Sequence, residues 1–286
     1  MALSCRVCGG PELAARLHRA EVPILFCGRC GTACWLPEAG FRAASLYDAR
    51  YFEGGDRAAG YDDYAALEPA LRETFARRVR ALGAPRAGAR LLDLGPAFGY
   101  ALDAALAQGW RAFGLEISPA AAARAAAGGR AVALGDAQRI PFADASFDAL
   151  TLWDVLEHLP DPHAAMAEIA RCLRPGGLLA LSTGDVQSFV ARVSGARWHL
   201  YTLPEHLFFY SREGLRRLCA AHGLCVRSLR AEGARYPLGY LVERLRKSLL
   251  GRAASGAARW PGAALVVPVN LFDVVTLHAV REGGRS

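Results

Sequence analysis

At 286 residues, 53% apolar and 21% charged, the chain can bury one large α/β domain plus a small accessory module, and it is too apolar to be disordered. Its formal charge of +7 rests on arginine, since Lys247 is the only lysine. These arginines are dispersed along the chain, so composition permits a nucleic-acid partner without demanding one.

The opening MALSCRVCGG has no charged segment running into an apolar one, so no secretory leader is expected and a cytoplasmic, reducing location is. Eight cysteines in that setting are thiols or metal ligands. Cys5-x2-Cys8 and Cys27-x2-Cys30 are separated by eighteen intervening residues, each beside glycine. That is zinc-ribbon spacing: two intervening residues let a tight turn aim both thiolates at one ion, and two turns complete a four-thiolate site. A structural zinc over residues 1–38 is therefore expected, supplying stability that so short a module lacks. Cys34, Cys172, Cys219 and Cys225 lack the spacing and are expected as small core residues.

Residues 39–84 form a lead-in, with the aromatic, glycine-containing LYDARYFEGGDRAAGYDDY followed by a helix over about 68–82. Leu71, Phe75, Val79 and Leu82 share one face of that helix, and Gly83-Ala84-Pro85 stops it. From there on, strands and helices alternate. Strands are expected at 91–94, 111–117, 131–134, 149–153 and 178–182, the last entered through Arg174-Pro175-Gly176-Gly177. Helices are expected at 100–108, from Ser118-Pro119 to Ala127, and from Asp161-Pro162 to Cys172, the latter two opening with an N-cap and proline at N1. A helix over 212–221 and strands near 226–229 and 272–280 close the chain. This alternation predicts a mostly parallel sheet, doubly wound, in a single large domain over 85–286.

An insertion at about 236–268 contains the basic amphipathic YLVERLRKSLLGR. It packs on its own domain or makes peripheral contact with a membrane or acidic substrate. No membrane span is expected: Pro261 to Val280, the most apolar stretch, is broken by Pro268, Asn270 and Asp273.

In an open parallel sheet, ligands bind beyond the carboxyl ends of the strands. Gly95-Pro96-Ala97-Phe98-Gly99 leaves the first strand there, after Asp93 within it. The spacing differs from the G-x-G-x-x-G of dinucleotide sites, because Ala97 stands at the middle glycine and Tyr100 follows. Glu116 ends the second strand, where a carboxylate accepts hydrogen bonds from both hydroxyls of a ribose. Gly135-Asp136-Ala137 follows the third, where an aspartate takes an adenine amino group.

LLDLGPAFGY, FGLEIS, GDAQRIPF, FDALTLWDVLEHLPDP and LRPGGLLALST, in this order, resemble the successive motifs of class I S-adenosylmethionine-dependent methyltransferases, and PEHLFFYS extends the match. The resemblance implies a Rossmann-like fold with a seven-stranded sheet and S-adenosyl-L-methionine as cofactor. By it, Asp93, Gly95, Ala97 and Gly99 line the methionine end, Glu116 holds the ribose, Ile117, Asp136 and Ala137 the adenine, and Trp153 sits beside the sulfonium. Ala97 departs from the glycine of most relatives. Tyr51, Tyr61 and Tyr64 resemble a lid over the cofactor, or else pack in the core.

For a hydroxyl acceptor the enzyme must align the oxygen and remove its proton. His158, in Asp154-Val155-Leu156-Glu157-His158, is the first candidate base and His206 the second. Asp154-x-x-Glu157-His158 with downstream His206 is also similar to the ligand set of metal-dependent O-methyltransferases, implying a catalytic divalent ion. The leading expectation is methyl transfer to a hydroxyl of a small molecule, glycan or secondary metabolite. The alternative is an RNA methyltransferase that grips phosphates with the ribbon and arginines.

Overall fold

The computed structural model describes residues 3–37, 41, 43–48, 51–52, 64–243 and 262–283. Strands β1 (Leu13–Arg19), β2 (Val22–Cys27) and β3 (Ala33–Cys34) form an antiparallel meander that carries the N-terminal cysteines. Helix α1 (Glu68–Arg80) follows, with Phe75 and Val79 buried, and ends before Gly83. Gly83 has a φ of +84°, which no β-carbon favours.

Five strands then run parallel: β4 (Arg90–Leu94), β5 (Arg111–Glu116), β6 (Val132–Leu134), β7 (Phe147–Trp153) and β8 (Leu173–Gly184). Both faces of β4 and β7 are covered, which explains their near-continuous apolar runs; every residue of β7 is buried. Helices α2 (Tyr100–Ala107), α3 (Pro119–Ala127) and α4 (Pro162–Cys172) make the crossovers. In α3 and α4 the proline at N1 follows a working cap: Ser118 accepts from the Ala121 amide, and Asp161 from those of His163 and Ala164.

β8 starts earlier than its apolar run suggests. Leu173 pairs with Phe147, and the register then jumps so that Ala149 faces Leu178. Arg174-Pro175-Gly176-Gly177 is thus the bulge inside the strand, with Gly176 at a φ of +75°. Helix α5 (Phe189–Ser194), the short β9 (Phe208–Phe209) and α6 (Arg212–Ala220) lead to β10 (Leu224–Ala231). β11 (Ala234–Pro237) and β12 (Val266–Val269) pair as a small ribbon at the root of the insertion. Most of YLVERLRKSLLGR lies outside the described residues. The last strand, β13 (Val274–Arg281), inserts antiparallel between β8 and β10, so the seven-stranded sheet reads β6-β5-β4-β7-β8-β13-β10. No helix among the described residues is long and apolar enough to cross a membrane.

β9 joins the other sheet: Phe209 faces Ala33 and Phe208 faces Cys34, so the cysteine-bearing meander draws its fourth strand from the region after β8. Cys34, Cys172 and Cys219 are buried and Cys225 half-buried, in keeping with their expected core role.

Asp93 is a carboxyl inside the central strand pair. It faces Thr151 across β4 and β7, and the Thr151 hydroxyl donates to it at 2.6 Å. Burial holds its pKa up to about 7 against the pull of that bond. Thr151→Val keeps the shape and deletes the donor, so it should destabilise the fold by about 1–3 kcal/mol, while Thr151→Ser should be close to neutral; chemical denaturation of both variants measures this.

Candidate active site

A cavity of about 330 Å³ opens beyond the carboxyl ends of β4, β5 and β7. Its floor is the loop after β4. Gly95, Ala97 and Gly99 all take the left-handed conformation, with φ of +70°, +49° and +86°. At Gly95 the requirement is also steric, because an added Cβ would lie 2.8 Å from a methyl of Val155. Ala97 adopts the conformation that glycine favours, so its methyl group is accommodated at the cost of backbone strain of about 1–2 kcal/mol.

Glu116 fixes this loop from the end of β5. One carboxylate oxygen accepts from the Ala97 amide at 2.9 Å and the other from the Ser118 amide at 2.9 Å. Burial raises its pKa, opposed by those amides. Each oxygen keeps a further lone pair, and the residue lines the cavity beside Gly95, Ala97 and Ile117. On the next wall Asp136 accepts from the Gln138 amide at 2.8 Å, and the Gln138 side chain in turn accepts from the Asp161 amide. Asp136 and Ala137 both line the cavity. Asp93 and Gly99 do not: Asp93 lies beneath the floor, and Gly99 opens α2.

The roof is aromatic. Tyr47, Tyr51, Phe52 and Tyr64 reach the cavity from the lead-in; Tyr61 lies outside the described residues. Trp153, at the end of β7, is overlaid by the guanidinium of Arg78, 5.1 Å from the ring. Arg78 is buried on α1 and reaches Asp154 at 3.3 Å, while the Ser182 hydroxyl also donates to Asp154 at 2.9 Å. Periodicity marked the apolar face of α1 and gave no sign that its neighbour Arg78 turns inward. Tyr47 was equally hidden, since its segment lacks a repeating pattern.

Glu157, His158 and His206 converge, each offering a ligand atom within 4.8 Å of the others. Asp154 stands apart from them, turned to Arg78 and Ser182. His158 Nδ1 lies 3.0 Å from the Glu205 carbonyl and His206 Nδ1 2.8 Å from that of Leu200. A carbonyl only accepts, so both Nδ1 atoms carry the proton and both Nε2 atoms carry a lone pair. Burial depresses the two imidazoles to about 4 and about 3, with His158 adding to the effect on His206. Burial first, and Asp154 second, raise Glu157 to about 8, and its Oε2 is buried with no hydrogen-bond partner among the described residues. Neutral rings braced through Nδ1, beside an unsatisfied carboxyl oxygen, fit the requirements of a divalent-cation site.

The four N-terminal cysteines also converge. Cys5 and Cys30 sulfurs are 3.8 Å apart, those of Cys8 and Cys27 3.6 Å, and all four lie within 4.8 Å. Four ligands about 2.3 Å from a tetrahedral ion are about 3.8 Å from one another, so this set fits zinc. The neighbouring Cys5 thiol and burial push Cys30 up to about 12, a proton affinity that a cation would offset.

A mostly parallel sheet in this strand order, with a glycine loop bound to an acidic residue at the end of the second parallel strand, is a Rossmann-like methyltransferase fold. The chain belongs to the methyltransferase-domain family, whose sequence pattern matches residues 66–229. It is 31% identical over 172 residues to malonyl-[acyl-carrier protein] O-methyltransferase of Serratia marcescens, covering 58% of this chain and 64% of that protein. To ubiquinone biosynthesis O-methyltransferase of Xylella fastidiosa it is 31% identical over 149 residues, covering 49% and 58%. The chain thus spans less than two thirds of the length of these curated relatives. The crystal structure of the YcgJ protein from Bacillus subtilis shares the fold, with a TM-score of 0.55 at 16% identity over 74% of this chain and 99% of that one.

His206 is held neutral in the folded state, whereas the unfolded chain takes up its proton near pH 6.5. Below that pH the unfolded state binds more protons, so the native residue loses stability on acidification. The stability deficit of His206→Gln relative to the native chain should therefore narrow below pH 6.5, by up to about 1.4 kcal/mol per pH unit, in denaturation curves taken at successive pH values.

Proposed function

We propose that the chain is an S-adenosyl-L-methionine-dependent methyltransferase acting on a hydroxyl oxygen of a small molecule, with glycans and secondary metabolites in the same class. The observation that carries this reading is the cavity itself, which gathers Gly95, Ala97, Glu116, Ile117, Asp136, Ala137 and Trp153 on one surface. Glu116 would accept from the ribose hydroxyls with its remaining lone pairs, Asp136 from the adenine amino group, and the glycine loop would admit the methionine end. The curated relatives named above are O-methyltransferases, which supports oxygen as the acceptor atom. An aromatic roof suits a compact acceptor better than RNA, which calls for a basic groove.

The bound cofactor supplies an activated methyl group for in-line transfer. The residues of this chain have the remaining work: excluding water under Tyr47, Tyr51 and Tyr64, aligning the acceptor, and taking its proton. His158 lines the cavity with Nε2 deprotonated, so it would receive the hydroxyl proton while Nδ1 stays bonded to Glu205. A second reading of the same cluster is favoured by the unpartnered Glu157 Oε2: Glu157, His158 and His206 would hold a divalent ion that lowers the pKa of the acceptor hydroxyl. Asp154, 48% exposed at the cavity and tied to Arg78, would orient the cofactor's sulfonium end and stay outside that ligand set. Cys5, Cys8, Cys27 and Cys30 would hold a structural zinc.

Calorimetric titration with S-adenosylhomocysteine tests the cofactor reading. Saturable one-to-one binding is expected, weakened about 100-fold or more in Glu116→Ala through loss of two hydrogen bonds to a charged group. Absence of binding to the native chain, or equal affinity in the variant, would refute it.

A further inference from the structure

The four-cysteine site is tied to the histidine cluster by one short stretch of chain. Residues 205–211 lie between them and bond to both. Towards the cluster, the Leu207 amide donates to the Glu157 carbonyl at 2.8 Å, His158 Nδ1 donates to the Glu205 carbonyl, and the Tyr210 hydroxyl donates to the Leu156 carbonyl at 3.3 Å. Towards the cysteines, β9 pairs with β3, the Trp35 amide donates to the Leu207 carbonyl at 3.3 Å, and the Ser211 hydroxyl donates to the Cys30 carbonyl. The shortest side-chain link to a histidine is the Trp35 indole, whose Nε1 donates to the His206 carbonyl at 2.7 Å.

Trp35 is well placed to transmit order. It sits five residues beyond Cys30, on a segment set by the cysteine turn itself: the Gly31 amide donates to the Cys27 carbonyl, and the Cys27 amide to that of Thr32. Its ring also meets Phe41 edge-on, with centroids 5.7 Å apart, and Phe41 lines the cavity. Among the described residues, the other hydrogen bonds of His206 stay within its own loop, to Thr202 and Leu200. The two imidazoles stand edge to face, 4.7 Å apart, so a displacement of one is felt by the other. Catalytic and ligand side chains tolerate displacements of about 0.5 Å, and a loop held by a few hydrogen bonds keeps that tolerance only when its anchor is rigid.

We propose that Trp35 is a positioning residue through which the metal-closed cysteine turn fixes His206, and with it His158, at the mouth of the cavity. The ribbon is then a brace of the active site as well as a stabilising appendage. This rests on the proposed role of the histidine cluster, but the brace is measurable without turnover. A small module emptied of its metal loses its order, so stripping the cysteine site should reach the imidazoles by the same route as removing the indole N–H.

The test is nitrogen-15 imidazole NMR of the full-length chain as native protein, as Trp35→Phe, and as native protein stripped by a thiol-competing chelator and then refilled with zinc. His278, bonded to Ser228 on the far edge of the sheet, is the internal control. In the native chain His158 and His206 should show the Nδ1–H tautomer with slow proton exchange. In Trp35→Phe both signals should shift or broaden and the Nδ1 protons exchange about fivefold faster or more, the loss expected for one hydrogen bond, while His278 stays unmoved. Substituting cobalt for zinc should still give thiolate charge-transfer bands in the variant, showing that the ribbon remains closed, and the affinity for S-adenosylhomocysteine should change less than twofold. Stripping should reproduce the imidazole changes and zinc should reverse them, which keeps the test decisive if the variant folds poorly. Unaltered histidine signals in both the variant and the stripped protein would overturn the proposal. Failure to bind S-adenosylhomocysteine alongside responsive histidines would instead overturn the cofactor reading and leave the brace standing.

Discussion

Glu116 reaches from the end of β5 back to the loop leaving β4, and its two carboxylate oxygens are held by the amides of Ala97 and Ser118. Three left-handed residues in five positions would otherwise leave that loop with many alternatives. A buried charge-assisted pair of hydrogen bonds selects one of them and sets the floor of the cavity. The loop leaving β4 and the cap residue that starts α3 both converge on the same carboxylate. Glu116 also lines the cavity, so the interaction that shapes the site is well placed to recognise what enters it.

Much of the scaffold was legible in the sequence because its physics is local. β4 and β7 are buried on both faces and read as unbroken apolar runs, and Ser118-Pro119 and Asp161-Pro162 announce helices through capping and proline geometry alone. The ordered series of Gly95, Glu116, Asp136 and Trp153 marked the cavity, and the structure brings all four to one surface. Asp93 and Gly99 share the motif but act at one remove, beneath the floor and at the helix start. The bulge at the start of β8 was hidden because Arg174-Pro175-Gly176-Gly177 reads as a turn, and only pairing with Phe147 makes it part of a strand.

What the sequence could not display depends on distant segments meeting. Arg78 lies on a helix whose pattern is amphipathic, yet it is buried over Trp153 beside Asp154, a position set by the packing of α1 against the end of the sheet. Asp154 shares a motif with Glu157 and His158, but its carboxylate bonds to Arg78 and Ser182 and acts on the other two through charge. His206 comes to that pair from 48 residues downstream of His158, on the loop that leads into β9, a strand of the cysteine-bearing sheet. Cysteine spacing predicted that four thiols would converge, as they do; nothing in the spacing indicated that β9 would complete the same sheet.

The central claim is that this cavity receives an adenosine-bearing cofactor with Glu116 on its ribose. A crystal structure of the chain grown with S-adenosylhomocysteine tests it most directly. The account predicts both ribose hydroxyls within hydrogen-bond distance of the Glu116 carboxylate, the adenine beside Asp136 and Ala137, and the sulfur next to Trp153 and below the tyrosines of the lead-in. A ligand bound elsewhere, or one in this cavity with its ribose away from Glu116, would contradict it.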